Sequence, residues 1–369
     1  MSHDPRLTPL IAALPATVPF VGIETLERQT GVTIKARIGA NESGFGPSPR
    51  AIEAMSRTAA EAWKYPDAEC FHLRHELAQH HGVGAENIVI GAGIDGLLGT
   101  LVRLTVAPGY KVVTSKGAYP TFSYHVAGSG GELVTVPYRD DHEDPEGLIA
   151  QMHAVRPKLV YISNPDNPMG SWHDASAIQR MIEAIPEGTL LVLDEAYFEC
   201  ADPSLFPPLD TSDKRVIRMR TFSKAYGLAG ARIGYAIGDA EMIAQFSKIR
   251  DHFGVSIIGQ EGARAALADQ DWLHKVRAQI AGSRDRIAEI AAENGLSPLP
   301  SQTNFVAIDL GRDGDFTRAM VRELHMARIF VRMPGVAPLD RCLRVSCGTE
   351  ADMDLFAQEL PGALQRAQT

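Results

Sequence analysis

Asn87-Ile88-Val89-Ile90-Gly91-Ala92-Gly93 runs an apolar stretch straight into a glycine-rich turn, and the helix-like segment Leu97 to Val106 follows. A continuous apolar run, rather than an alternating one, suits a strand buried on both faces. The same unit recurs. Lys111-Val112-Val113-Thr114, Gly131 to Val136, Leu159-Val160-Tyr161-Ile162, Leu190-Leu191-Val192-Leu193 and Val216-Ile217-Arg218-Met219 repeat it at intervals. Together they predict an α/β fold, a large domain whose mostly parallel sheet is covered by helices. Near residue 240 the pattern changes to helical stretches over Glu241 to Ile249, Gln260 to Ala268 and Trp272 to Asn294. Strand-like Phe305 to Ile308, a helix near Phe316 to Met326 and strand-like Cys342 to Ser346 follow, and predict a smaller α+β domain. The expected division is an N-terminal arm over 1–37, a large domain over 38–245 and a small C-terminal domain over 246–369.

The 369 residues carry 45% apolar and 22% charged side chains, ordinary for a soluble enzyme. A net charge of −9 argues against nucleic acid or an anionic membrane as the main partner. Met1 to Leu10 has no basic segment leading into a long apolar core, so no secretory leader is expected. No apolar run approaches the ~20 residues of a membrane span. Cys70, Cys200, Cys342 and Cys347 lack CxxC or metal spacing, so a reducing cytoplasm is expected. His72, His75, His80 and His81 read as a solvated helix face with no metal.

Chemistry-bearing residues fall where an open α/β sheet places its ligand, beyond the carboxyl ends of strands. Thr221-Phe222-Ser223-Lys224-Ala225-Tyr226-Gly227 continues to Arg232 in a Gly/Ala-rich loop. A lysine there suits Schiff-base chemistry if burial or a neighbouring cation lowers its pKa. Ser223 and Arg232 could hold a phosphate beside it. Asp194 and Tyr197 follow a strand and could hold a pyridinium nitrogen and a phenolate oxygen, or serve simply as a helix cap and a packing tyrosine. Asn167 sits between two X-Pro steps in Asn164-Pro165-Asp166-Asn167-Pro168-Met169-Gly170. Gly91-Ala92-Gly93-Ile94-Asp95-Gly96 matches G-x-G-x-x-G, but Thr114-Ser115-Lys116 stands where a dinucleotide fold needs an acid. That makes the loop a phosphate cup. It also counts against a reading from another class, an NAD-dependent oxidoreductase.

The order and contexts of Asn167, Asp194, Tyr197, Ser223, Lys224, Arg232 and Arg344 resemble the class I/II pyridoxal-phosphate aminotransferases of fold type I. Asn41-Glu42-Ser43, Tyr65-Pro66-Asp67, Ala118-Tyr119-Pro120 and Leu343-Arg344-Val345-Ser346 are similar to the histidinol-phosphate branch of that family. The resemblance spans about residues 38 to 350. It implies that Lys224 forms the Schiff base with pyridoxal 5′-phosphate and later shuttles a proton, with Asp194 on the ring nitrogen. Asn167 and Tyr197 would meet the ring oxygen, and Tyr119 would stack on the ring. The amides of Ile94 and Asp95, with Ser223 and Arg232, would hold the phosphate. Tyr65 would reach that phosphate from the neighbouring subunit of a homodimer. Arg344 would grip the substrate α-carboxylate as a bidentate fork, with Asn167 beside it, and Arg332 would meet a substrate phosphate.

The implied reaction moves an amino group between a small-molecule donor, best matched by histidinol phosphate, and a 2-oxo acid, 2-oxoglutarate. Aromatic amino-acid transamination and decarboxylation of a phosphorylated amino acid are the alternatives on the same framework. Departures from the family pattern are Ile94 and Gly96 in the cup, Met169 in place of a threonine, and no proline after Asn41-Glu42-Ser43.

Overall fold

A computed structural model describes residues 6–16 and 21–368. Residues 1–5, part of the stretch read above for a leader and of the N-terminal arm, lie outside it, as do 17–20 of the same arm. Seven strands form one sheet in the spatial order Ile88–Gly91, Gly234–Gly238, Val216–Thr221, Leu190–Asp194, Leu159–Ser163, Lys111–Ser115, Glu132–Val136. The strand pairs are parallel except those of Gly234–Gly238, which runs antiparallel to both its neighbours.

The continuous apolar runs follow from helices on both faces. Leu159, Tyr161, Val192, Ile217 and Met219 point into one core with Leu98 and Leu101 of helix Gly93–Thr105 and Phe122 of helix Pro120–Gly128. Their sequence neighbours Val160, Ile162, Leu191, Leu193 and Val216 point the other way, onto Leu148, Met152, Ile178 and Met181 of helices Pro145–Val155 and Ala175–Glu183. Side chains alternate across a strand, so a strand covered twice must be apolar at every position.

Ser297–Pro298, Phe305–Asp309 and Cys342–Ser346 form a separate antiparallel sheet of three strands. The N-terminal segment joins this end of the chain, because Ala36–Arg37 pairs in parallel with Ile329–Phe330. Helix Ile257–Ala268 packs on Pro49–Thr58 and Phe71–His81.

Several local expectations shift. The helix expected from Leu97 begins at Gly93, so Ile94 and Asp95 lie in its first turn. The expected helix from Glu241 to Ile249 is a short one, Ala240–Gln245, followed by a 3-10 turn. His81 is not part of a solvated face. Its Nε2 lies 2.9 Å from the Tyr235 hydroxyl, and burial beside Arg220 and His80 pushes its pKa down to about 3. His72, His75 and His80 are exposed as expected. Among the described residues no His, Cys, Asp or Glu cluster could hold a metal ion, and no helix is long and apolar enough to cross a membrane.

Candidate active site

Strand ends converge on one cavity. Asp194 is the last residue of its strand, Asn167 follows Leu159–Ser163, Ser223 and Lys224 follow Val216–Thr221, and Ile94 and Asp95 follow Ile88–Gly91. Tyr119, after Lys111–Ser115, lines the same space. Arg232 arrives by a different route. It lies just ahead of the one reversed strand, whose start is paired with Thr221 at the end of its neighbour. Reversal therefore places a strand beginning where the other strands finish.

The Lys224 amine donates to the backbone carbonyl of Asn41 at 3.2 Å. Burial, with Arg344 next in effect, lowers its pKa to about 8. Asn41 has a left-handed backbone, φ 55°, which asparagine tolerates better than most residues. Its Nδ2 donates to the Tyr197 hydroxyl at 2.9 Å, and its Oδ1 accepts from Ser346 Oγ at 3.1 Å. Asn304 Nδ2 reaches the same carbonyl at 3.0 Å. One residue thus ties the lysine and the tyrosine to the three-stranded sheet.

Asp194 is 4% exposed and receives two hydrogen bonds, from the Tyr161 hydroxyl at 2.7 Å and the Ala196 amide at 2.9 Å. Burial nevertheless raises its pKa to about 6, against the pull of those donors. Above that pH it is a carboxylate held rigidly at the cavity floor.

The cup is built by close approach. A Cβ on Gly93, φ 75°, would strike the Arg232 guanidinium, and one on Gly234 would come within 2.8 Å of the Ile94 nitrogen. Glycine at both places lets the turn lie on the strand with Arg232 beside it. The first-turn amides of helix Gly93–Thr105 have no partner within the helix and, with its dipole, suit an anion. Ser223 presents its hydroxyl there, positioned by Thr221, whose Oγ1 contacts it at 2.9 Å and accepts from its amide at 3.0 Å. Asp95 turns its carboxyl to the Tyr119 hydroxyl at 2.9 Å.

A second, adjoining cavity of about 600 Å³ is lined by Tyr119, Tyr124, Asn167, Lys224, Arg332 and Arg344, among others. Arg344 Nη1 donates to Asn167 Oδ1 at 2.6 Å. Its buried Nε has no hydrogen-bond partner among the described residues, a donor left for a ligand. Arg332 and Arg344 face each other across an antiparallel bridge, with N–H···O distances of 3.2 and 2.7 Å. Directly opposed residues share one face of a sheet, so both side chains enter the cavity.

The model of "Aminotransferase class I and II" matches residues 33–360. The chain belongs to that family. The aminotransferase is 31% identical to the histidinol-phosphate aminotransferase of Moorella thermoacetica, over 96% of this chain and 92% of the relative. To that of Anaeromyxobacter sp. it is 35% identical, over 88% and 90%. The solved histidinol-phosphate aminotransferase of Sinorhizobium meliloti, in complex with pyridoxal-5′-phosphate, is 56% identical and covers 99% of both chains with a TM-score of 0.95. The aspartate aminotransferase of Thermus thermophilus, 22% identical with a TM-score of 0.78, shares the fold.

The aminotransferase uses pyridoxal 5′-phosphate, and its residues fit that group. A buried carboxylate stands ready for a cationic ring nitrogen, a lysine with a depressed pKa for an aldehyde, and a cup of amides, a hydroxyl and a guanidinium for a phosphate. Tyr65 alone of the site residues read from the sequence lines neither cavity, and it is 82% exposed. Asn41, Tyr161 and Thr221 were not read from the sequence as groups acting in the site.

Only the neutral amine of Lys224 attacks an aldehyde. Because its pKa falls from 10.5 to about 8, covalent capture of added pyridoxal phosphate by cofactor-free protein should speed up as pH rises to about 8 and level off above. Stopped-flow absorbance against pH checks this. A rate still climbing steeply through pH 9–10, the range of an ordinary lysine, would contradict it.

Proposed function

We propose that this aminotransferase takes its amino group from histidinol phosphate and passes it to 2-oxoglutarate. The observation that carries this reading is the opposed pair Arg332 and Arg344 in the second cavity. Two guanidiniums on one face suit a phosphate dianion better than a single carboxylate. The full-length relatives named histidinol-phosphate aminotransferase support the same choice.

Pyridoxal phosphate supplies an electron sink for the bond broken at the donor's Cα. The protein's own groups do the rest. Asp194 would hold a positive charge on the ring nitrogen, and Tyr197 and Asn167 would bind the ring oxygen. Ile94, Asp95, Ser223 and Arg232 would hold the phosphate, with Tyr119 beside the ring. Lys224 Nζ would take the proton from Cα of the donor. Arg344 and Arg332 fix the donor's anionic end so that this C–H bond faces the lysine.

The functional unit in this reading is a homodimer in which Tyr65 reaches the neighbouring site. An exposed aromatic group supports it: Trp63 at 79%, Tyr65 at 82% and Phe253, whose ring lies 4.9 Å from that of Tyr65. Four buried free thiols accord with the reducing cytoplasm.

A donor panel with 2-oxoglutarate tests the assignment, using histidinol phosphate, phenylalanine, tyrosine and phosphothreonine. Histidinol phosphate should exceed the others in kcat/KM, and a preference for phenylalanine would replace the proposal with aromatic transamination. In Arg332→Met the KM for histidinol phosphate should rise about 10- to 100-fold, the worth of hydrogen bonds to a charged group, with a smaller change for phenylalanine. Equal changes for both donors would remove Arg332 from phosphate binding.

A further inference from the structure

Behind Asn167 lies a pair of buried acids. Glu143 is 1% exposed and Asp166 2%. Both meet the hydroxyl of Ser163, with Oγ 3.0 Å from Glu143 Oε1 and 3.2 Å from Asp166 Oδ1. Glu143 Oε1 also accepts the Ser163 amide at 2.9 Å. Asp166 Oδ1 accepts from the Tyr138 hydroxyl at 2.9 Å, and Oδ2 from the Met169 amide at 2.9 Å. The Ser163 hydroxyl in turn accepts the Asn167 amide at 3.4 Å.

Counting protons decides the state of the pair. Two carboxylates in one dry pocket cannot both ionise. Three of the four carboxyl oxygens already accept an N–H or O–H; Glu143 Oε2, buried and with no group among the described residues in donating geometry, is the fourth. The remaining proton belongs there, facing the Ser115 hydroxyl, whose oxygen is likewise buried and otherwise unpartnered among the described residues and can accept it. Burial and the Asp166 charge both raise the Glu143 pKa well above the carboxylate range, while burial lifts Asp166 to about 6.

We propose that Glu143 is a neutral carboxylic acid which, through Ser163 and Asp166, positions Asn167 and therefore the Arg344 guanidinium bonded to it. Glu143 touches neither cofactor nor donor, so it is a positioning residue. The inference does not depend on which donor the enzyme uses. A neutral acid beneath Asn167 leaves the Arg344 charge facing the cavity, whereas a second anion would compete for it.

The charged and titratable groups around the pair are Tyr138, Tyr161 and Arg344, with His173, whose ring lies 2.7 Å from the Glu143 carbonyl, and the Arg139–Asp144 ion pair. A carboxyl raised in the folded state contributes stability that is present at low pH and lost as pH rises through its folded pKa.

Infrared spectra of the purified protein, with and without pyridoxal phosphate, provide a readout independent of turnover. Wild type minus Glu143→Gln at neutral pH should show a protonated carboxyl band that shifts in D2O. Kinetics supply the second arm. Glu143→Gln, which mimics the neutral acid, should keep kcat/KM near that of wild type and extend activity to higher pH. Glu143→Leu and Ser163→Ala should raise donor KM about tenfold, the loss of one hydrogen bond to a charged group, with a smaller change in kcat. Ser163→Ala tests the relay even if Glu143→Leu does not fold. Absence of the carboxyl band, or an unchanged donor KM in Ser163→Ala, would overturn the proposal.

Discussion

Replacing Lys224 with alanine is expected to slow transamination by about 10⁴-fold, the upper range for loss of a positioned proton carrier. The expected loss combines two jobs, because in the proposed reaction the amine both captures the cofactor and carries the proton from Cα, so the two contributions do not add. Folding should survive. The lysine is half-buried, and its lowered pKa means that the folded protein disfavours its charge, so removal relieves a desolvation penalty. The hydrogen bond of its amine, to the Asn41 carbonyl, is shared with Asn304 Nδ2, which remains. The purified variant should lose the visible absorbance of covalently held cofactor while its far-ultraviolet circular dichroism matches the parent. A small amine added to the variant should restore part of the rate. Turnover near the parent value would sink the lysine's role.

Asp194→Asn is expected to lower kcat by about 10²- to 10³-fold, the usual loss for one preorganised electrostatic group. Asparagine has nearly the same shape and cannot carry the charge. Tyr161 and Ala196 hold the carboxylate by hydrogen bonds, so little reorganisation is needed when a cation arrives. The pKa of about 6 in the cofactor-free protein means that the carboxylate is present at neutral pH and lost below it. Cofactor affinity should accordingly weaken as pH falls through 6 in the parent and show no such dependence in the variant. Spectroscopic titration with pyridoxal phosphate at several pH values measures both. A variant with parental kcat would show that the ring nitrogen has another partner.

Whether a site residue was legible in the sequence depended on how local its setting is. Ser223, Lys224 and Arg232 occupy one loop between paired strands, and Asp194 ends a plainly apolar run, so the family pattern found them. Asn41 acts through contacts 156 to 305 residues away, and its left-handed backbone leaves no mark in the letters. Tyr161 looked like one more strand residue, because its hydroxyl matters only once the neighbouring strand brings Asp194 beside it. Gly234–Gly238 was missed as a strand because Gly-Tyr-Ala-Ile-Gly has few β-branched residues and a glycine at each end. The helix Glu350–Arg366 carried a readable start, Thr349 capped reciprocally with Asp352, but Pro361 in its interior reads as a breaker.

The reversed strand has a consequence for how the site tolerates change. Thr221 and Gly234 are register partners, so the dozen residues between them form a closed loop carrying both the Lys224 amine and the Arg232 guanidinium. Closing so short a loop costs little chain entropy, and the spacing between these two groups is set within it rather than by distant packing. An insertion in a surface connection elsewhere can move this hairpin as a unit. A single-residue deletion between Lys224 and Arg232 instead changes the distance from aldehyde to phosphate, a length that the cofactor's own bonds fix.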